Sequence, residues 1–496
     1  MRHPILIASL ALGPLATSAM AQTEAPSLGE IDFPTSCSSA AQDAVTEGTL
    51  LLHHMMYRMA NARFEAAAEA DPVCAMAQWG IAMSNFHPLW PGIQSPPERQ
   101  KGLAAIDRAA SLDAGTPLEQ AFVDAASKFY DPALTTYPER KAAWSDAQRQ
   151  VLADFPDNPD AAAFAALAML AVAPPTDRSL ALQREAGALL EDLNARVPQH
   201  PGILHYLVHA YDHPPLAEAA LPFVQAYLEL APENPHALHM PSHIMTRLGR
   251  WEEAADLNRR SAAAVLAQPK IDGTVSDHYP HALDYLTYAL LQMGEVEEAT
   301  ETVATLLNTP DMQDVFGTAY AVAAAPARLA LEQEDWEAAA ALPDIPYEEL
   351  EWGRYPHALA IVAFAQGVGA ARSGDALGVE AALARLSDLK AIMDERGMNY
   401  WVTLANAQSG AIRAWQAYET GDPAAHSMIE AAAETEDSVG KAPVTPSHVL
   451  PVREQLGDMQ RLLGETDAAV VAYEAALAIS PNRRRSVAGI AEASGN

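Results

Sequence analysis

Histidine is the residue type whose distribution along this 496-residue chain points to chemistry. Nine of the 16 histidines lie between His200 and His281. A neutral imidazole offers one ring nitrogen as a ligand to zinc, copper, nickel or iron. His205 and His209 are four residues apart, as are His239 and His243. This spacing puts both rings of each pair on one face of a helix, so it predicts two helices that present metal ligands.

The elements that must position these rings are predicted to be pairs of antiparallel helices. The spacing is clearest at the C-terminus, in the positions of Leu456, Gly457, Gly464, Ala469, Tyr473, Ala476 and Pro481. It is the spacing of a tetratricopeptide unit, which folds as two helices in about 34 residues. Degenerate pairs are predicted near 98–130, 137–172, 200–230, 235–266, 278–308, 314–342, 355–390 and 400–417. With no alternating strand pattern, we expect an all-α array, curved into a superhelix with a concave groove.

The repeat register places the histidines at equivalent positions. His236, His239 and His243 precede the turn residue Gly249 by 13, 10 and 6 positions, and they lie on one helix face. A shift of about 34 residues puts His205 and His209 under His239 and His243. In the next unit, His281, Asp284 and Tyr288 stand at the same three offsets before Gly294. Because packed helices lie about 8–10 Å apart, four imidazoles from two of them could converge.

We therefore predict a metal site on the concave face, with His205, His209, His239 and His243 as ligands and copper or zinc as the ion. Further candidates for a fourth ligand or an orienting group are His236, His281 and Asp284. His53 and His87 each precede a turn position by two residues, and we treat them as possible additional ligands. For His200, His213 and His278 we expect hydrogen bonding. The histidines without a shared register are expected at solvated or capping positions, namely His54, His357, His426 and His448.

Two alternatives to a metal site stay open for the same residues. The concave face could hold an extended peptide or an envelope protein, with Tyr206, Tyr211, Tyr285 and Tyr288 in contact with it. It could also be a purely structural ladder of hydrogen-bonded histidines. If a metal is bound, nearby Tyr206, Tyr288 and Met240 favour copper, because they could support redox chemistry, whereas zinc tolerates any set of histidine and aspartate ligands. An open coordination position would allow metal-assisted oxidation or hydrolysis.

The motifs of several common enzyme classes are absent from the sequence. It contains no HExxH, GxSxG, GxxxxGK[ST], GxGxxG or CxxC segment. The formal net charge is -33, with 64 acidic and 31 basic residues. Such a surface repels phosphate backbones, so nucleic acid is not expected as a partner.

The N-terminus predicts export. Residues 1–21 combine a basic start at Arg2, an apolar run and small residues at Ala19 and Ala21, which is the pattern of a cleaved signal peptide. The mature chain would begin near Gln22, in the periplasm or outside the cell, with no membrane span. Oxidising compartments favour disulfides, so we predict a bond between Cys37 and Cys74, with a stabilising effect of about 4 kcal/mol.

Three segments carry a family resemblance: DPVCAMAQWGIAMSNFHPLWPG, QHPGILHYLVHAYDHP and HALHMPSHIMTRLGRWEEAADLN. They resemble a histidine-rich group of bacterial exported tetratricopeptide proteins, and the resemblance covers most of the mature chain. It implies the repeat fold and no particular reaction. The expected layout is a signal peptide at 1–21, a strap at 22–40, a helix array at 41–417 with the histidine-rich repeats at 200–308, a connection at 418–447, and a C-terminal repeat with a tail at 448–496.

Overall fold

A computed structural model of the chain describes residues 27–90, 94–112, 114–441 and 444–495. The predicted signal peptide, 1–21, lies outside these residues. Within them the chain forms helices and no named strand. The extended contacts in these ranges are two isolated bridges, Ile271 with Thr274 and Val275 with Met312. The prediction of an all-α fold is therefore confirmed.

The first twelve helices are α1 (Ser39–His53), α2 (Tyr57–Ala70), α3 (Ala75–Ser84), α4 (Pro96–Ser111), α5 (Pro117–Phe129), α6 (Tyr137–Asp154), α7 (Pro159–Val172), α8 (Ala181–Asn194), α9 (Pro201–Tyr211), α10 (Leu221–Leu230), α11 (Pro235–Arg247) and α12 (Trp251–Ala267). The remaining ones are α13 (His278–Met293), α14 (Val296–Leu307), α15 (Phe316–Glu332), α16 (Trp336–Ala340), α17 (Pro356–Arg372), α18 (Ala376–Glu395), α19 (Asn399–Glu419), α20 (Ala425–Asp437), α21 (Val452–Leu462), α22 (Thr466–Ile479) and α23 (Arg484–Ala493). Short 3₁₀ turns cover Ala217–Ala220 and Trp352–Arg354.

Local sequence signals account for the helix boundaries in the histidine-rich repeats. Pro235 starts α11 with its ring in the first turn, where no backbone donor is needed. The side chain of Asn234 accepts hydrogen bonds from the next free backbone N–H groups. Gly249 and Gly294 end α11 and α13 with φ of +65° and +83°, a conformation that favours glycine. These signals define the start of α11 and the ends of α11 and α13, the first helices of two successive repeats.

Helix α8 was missed by the sequence prediction, which assigned no helix between 172 and 200. Its N-cap is Leu180 in the left-handed region, with φ of 55°, and no side chain caps it. The start of α8 therefore carries no capping side chain that could have revealed it in the sequence. Helix α8 packs against α7 and α9.

The C-terminal repeat has the predicted close helix packing. A side chain at Gly457 would come within 2.7 Å of the Tyr473 ring, and Gly464 turns the chain with φ of +81°. Ala469 and Ala476 are buried at the helix crossing. These are the packing roles expected of a tetratricopeptide unit.

This C-terminal repeat closes over the inner side of the array. Arg483 is fully buried and donates to Glu454, to Glu332 and to the hydroxyl of Tyr288. The indole nitrogen of Trp251 donates to the backbone oxygen of Asn482 at 2.9 Å. Residues more than 190 positions apart therefore meet, and the expected concave groove is covered.

The N-terminal segment is tied to the helix array by two kinds of contact. Cys37 and Cys74 form a disulfide, as predicted, and Cys74 is also the N-cap of α3. The backbone oxygen of Leu28 lies 3.0 Å from Nε2 of His54, and Glu30 donates to the backbone of Gln199 at 2.9 Å. The strap thus crosses the start of α9.

No helix in the described part of the chain has both the length and the hydropathy to cross a membrane. The buried side chains form two hydrophobic cores, one centred on α1 to α14 and the other on α15 to α22. The histidine-rich repeats belong to the first core.

Candidate metal centre

Helices α9, α11 and α13 bring the central histidines together inside the protein. Six of these residues expose between 0 and 8 per cent of their surface: His205, His209, His236, His239, His243 and His281. Their ligand nitrogens fall into two triads, and within each triad the atoms lie within 4.8 Å of one another. A tetrahedral ion with bonds of 2.0–2.1 Å would need its ligand atoms about 3.3 Å apart. Small side-chain movements would therefore bring either triad onto one ion.

The first triad consists of His205 and His209 from α9 and His236 from α11. The Nε2 atoms of His205 and His236 are 3.1 Å apart. Nδ1 of His205 lies 2.6 Å from the backbone oxygen of His53, to which it donates. Nε2 of His209 is buried and has no hydrogen-bond partner. The ligand nitrogens of His205 and His209 are therefore available to an ion.

The second triad consists of His239 and His243 from α11 and His281 from α13. The Nε2 atoms of His239 and His243 are 2.9 Å apart. Tyr285 stacks on His243 with ring centres 4.5 Å apart. One turn of α11 therefore places two of the three rings side by side, as the four-residue spacing predicted.

Two oxygen acceptors fix the protons of the second triad. The side-chain nitrogen of Asn258 donates to Ala254, so its Oδ1 faces Nδ1 of His239 at 2.7 Å. Nδ1 of His243 donates to Asp212 at 2.9 Å. Since a neutral imidazole carries one N–H, both rings keep their Nε2 lone pairs free. The two lone pairs face each other, an arrangement that a shared cation would stabilise.

The two triads are neighbours in one continuous cluster. The rings of His236 and His239 are 6.1 Å apart between centres, and those of His209 and His243 are 6.2 Å apart. His278 extends the cluster at its edge, with Nδ1 3.2 Å from Nδ1 of His236. Sequence reasoning assigned hydrogen bonding to His278, and this contact is of that kind.

Burial keeps these imidazoles neutral. It lowers the pKa of His209 to about 3 and holds the pKa of His239 and His281 well below the usual value, with neighbouring histidines adding to the effect. For Asp212 burial alone would raise the pKa, but Lys441 and Arg247 outweigh it and hold the pKa well below the usual range. The triads therefore present neutral nitrogens beside one ionised carboxylate.

The structure corrects the grouping of the four predicted ligands. His205 and His209 belong to one triad and His239 and His243 to the other, so the four do not share a single centre. Packed helices cross at an angle, and the ring that meets His205 is His236, one turn earlier on α11 than the register suggested. His236 and His281 thereby become members of the triads.

Asp284 and His87 lie outside both triads. Asp284 is fully buried and pairs with Arg328 at 3.4 Å. His87 stacks on Tyr57 with ring centres 4.3 Å apart. Each therefore has a different partner from the one predicted.

His53 reaches the centre of the molecule but joins a third group. Its Nε2 is 2.9 Å from Asp160, and His200 approaches the same carboxylate oxygen at 3.3 Å. Its Nδ1 is 3.0 Å from the hydroxyl of Tyr206. The ligand atoms of His53, Asp160 and His200 also lie within 4.8 Å of one another, so His53 belongs to a separate candidate group. Both of its ring nitrogens already have hydrogen-bond partners, and its backbone oxygen accepts from His205.

Of the tyrosines proposed to favour copper, Tyr206 does lie beside the first triad, with its ring centre 5.4 Å from that of His205. Tyr288 lies against Arg483 and Arg328, and the Tyr206 hydroxyl contacts His53. Tyr285 occupies the position next to His239 and His243. Sequence reasoning also missed Asn258 and Asp212, which no motif distinguishes from other polar residues. A Pro-His-Ala-Leu segment recurs at 235–238 and 280–283, in agreement with the equivalence of His236 and His281 that their offsets before Gly249 and Gly294 predicted.

The face proposed for a peptide partner is enclosed. Tyr206, Tyr285 and Tyr288 are at most 1 per cent exposed, and Tyr211 is 7 per cent exposed. A peptide could contact these residues only after the helices packed around them had moved apart.

The chain was compared with known proteins. No protein-family model matches it, and no curated protein does. Among solved structures it is similar to Naa15/Naa10 bound to HypK-THB, with 12 per cent identity, a TM-score of 0.25, and coverage of 87 per cent of this chain and 62 per cent of the other. It is also similar to the TPR domain of P58(IPK), with 11 per cent identity, a TM-score of 0.20, and coverage of 92 and 97 per cent. The chain thus spans less than two thirds of the first structure's length, and the repeat fold is assigned from its own helix pairs.

Proposed function

We propose that the protein binds two metal ions, one at each histidine triad, with copper as the first candidate and zinc as the second. Imidazole nitrogens suit both metals. All six imidazoles are neutral, so the ligands themselves do not offset the charge of a bound ion. A cuprous ion introduces half the charge of Zn²⁺, and buried charge is costly, which favours copper.

The observation that carries this proposal is the pair of facing Nε2 atoms in His239 and His243, 2.9 Å apart. Asn258 and Asp212 hold the Nδ1 protons on the far side of each ring. Hydrogen bonding of this kind orients histidine ligands in metal sites. A shared proton could join two of the rings, whereas a metal ion can be bound by all three.

Three protein ligands would leave one position of a four-coordinate ion for water or a substrate. Export is part of the proposal, with the protein in the periplasm or outside the cell. The predicted signal peptide and the Cys37–Cys74 bond support that location, because disulfides persist in oxidising compartments.

Metal content tests the proposal. The protein, purified without a histidine tag, is loaded under anaerobic conditions with Cu⁺ or with Zn²⁺ and desalted. Elemental mass spectrometry then gives the number of bound ions per chain. We expect two ions per chain. His205→Ala with His209→Ala should leave one ion, and so should His239→Ala with His243→Ala.

The combination His209→Ala with His243→Ala damages both triads and should reduce binding to far below one ion per chain. His426→Ala with His448→Ala is the control, because these histidines contact Glu465 and Glu436 instead of the triads. It should keep two ions. Less than one ion per chain in the unaltered protein, or full loading of the His209 and His243 variant, would rule the proposal out.

A further inference from the structure

A cavity of about 500 Å³ opens beside the histidine cluster. Its walls come from the segment after α7, the turn after α9, and the C-terminal residues between α20 and α22. Binding sites for small molecules usually have volumes of about 300–1,000 Å³. The cavity therefore has the size of a ligand site.

The charge of the cavity wall is opposite to that of the whole protein. Five basic residues line it, namely Lys141, Arg178, Arg247, Lys441 and Arg453. Three acidic residues line it, namely Asp177, Glu436 and Asp437. The chain as a whole has 64 acidic and 31 basic residues. Basic residues thus outnumber acidic ones in this wall, the reverse of the chain as a whole, and two of them, Arg247 and Lys441, pair with Asp212 behind it.

Contacts within the protein already occupy the three carboxylates. Asp437 pairs with Arg453, and Glu436 contacts His448 at 3.3 Å. Asp177 accepts from the side chain of Ser179 and from two backbone N–H groups in its own turn. These groups therefore do not neutralise the other cations of the wall.

Two of the cations have no carboxylate partner among the described residues. Arg178 is exposed at the rim of the cavity and forms no ion pair with any described residue. Lys141 donates to the backbone oxygen of Ala171 at 2.8 Å and lies over the Tyr137 ring. Both are free to face an anionic group.

The rest of the wall is largely apolar. It includes Leu170, Pro174, Pro175, Pro215, Trp401 and Ile479. At its inner end the cavity reaches His209, whose buried Nε2 has no hydrogen-bond partner. A ligand that fills this space would need an apolar body as well as a negative charge.

We propose that the cavity binds an amphipathic organic anion, a molecule with one carboxylate or sulfonate group and an apolar body. The charge would face the cations of the wall, and the body would pack on the prolines and Trp401. This inference goes beyond metal binding and does not depend on it, since the cations and apolar residues on which it rests belong to neither triad.

Fluorescence titration of the metal-free, full-length protein tests the inference. The probe is 8-anilinonaphthalene-1-sulfonate, an amphipathic anion whose emission rises in an apolar site. Decanoate and decyltrimethylammonium, which have matched alkyl chains and opposite charges, then compete with the probe. We expect one probe per chain, displaced by decanoate and not by decyltrimethylammonium.

The variant Arg178→Gln with Lys141→Gln should weaken decanoate binding about tenfold or more, because it removes the two unpaired cations. Arg196→Gln with Arg260→Gln removes two half-exposed arginines outside the cavity and should bind as the unaltered protein does. Circular dichroism confirms that each variant is folded. Equal competition by decanoate and decyltrimethylammonium, or unchanged binding in the Arg178 and Lys141 variant, would overturn the inference. Metal content is measured separately, so either proposal can fail alone.

Discussion

Helices α11 and α17 begin with the same four residues, Pro-His-Ala-Leu, but their histidines lie in different environments. His236 of α11 meets the nitrogens of two other histidines at 3.1 and 3.2 Å. His357 of α17 lies between aromatic rings, 4.9 Å from Phe316 and 4.8 Å from Trp401 between centres. Neither ring nitrogen of His357 has a hydrogen-bond partner among the described residues. The same local sequence thus gives a polar cluster in one core and an apolar stack in the other.

The difference comes from the later residues of each helix and from the side chains that pack against it. In α11 further histidines stand three and seven residues after His236, at positions that share its face. At the matching positions of α17 the residues are Ala360 and Phe364. A buried histidine therefore indicates a candidate metal site only where further histidines share its helix face and lie on neighbouring helices.

The largest expected effect concerns the buried charges beside α11. Asp212 accepts from Arg247 and His243 at 2.9 Å and also pairs with Lys441. Asp212→Asn would leave two buried cations without an anion, so the free energy of unfolding should fall by about 3–5 kcal/mol in denaturant titrations. Asp272→Asn, which alters an exposed pair with Arg58, should change it by less than about 1 kcal/mol. Equal effects would show that the polar interior around α11 does not depend on this charge network.

The substitution Asn258→Ala tests whether the two triads are independent sites. It removes the acceptor of His239 Nδ1, and loss of such an orienting group typically lowers metal affinity by about 10–100-fold. We expect one site to weaken by that factor while the first triad is unchanged, as measured by competition with a chelator. Asn308→Ala is the matched control, because Asn308 makes the same bond to its own helix as Asn258 but at an exposed position. Weakening of both sites together would contradict the separation into two triads.

His357→Phe tests the apolar interior of the second core through its dependence on pH. Burial lowers the pKa of His357 from 6.5 to about 3, so between these values the unfolded chain binds more protons than the folded one. Stability of the unaltered protein should therefore fall as the pH drops below 6.5, and a phenylalanine at this position does not titrate. Relative to the unaltered protein, the variant should gain roughly 2 kcal/mol between pH 7 and pH 5, as measured by denaturant titration at both values. A gain that is independent of pH would show that His357 is not held neutral by burial.

The sequence by itself determined the features that depend on local periodicity. Helix pairs, the turns at Gly249, Gly294 and Gly464, and the disulfide partner of Cys37 followed from spacing and composition. So did the shared helix face of His205 with His209 and of His239 with His243. These features need only the repeat of one helix and the identity of nearby residues.

Only the tertiary structure decided which rings meet and that they are buried. The pairing of His205 with His236, rather than His239, depends on how α9 and α11 cross. The covering of the inner side of the array at Tyr288 depends on Arg483, which is 195 positions away. Such contacts depend on the crossing angles of many packed helices, which a local sequence pattern does not specify.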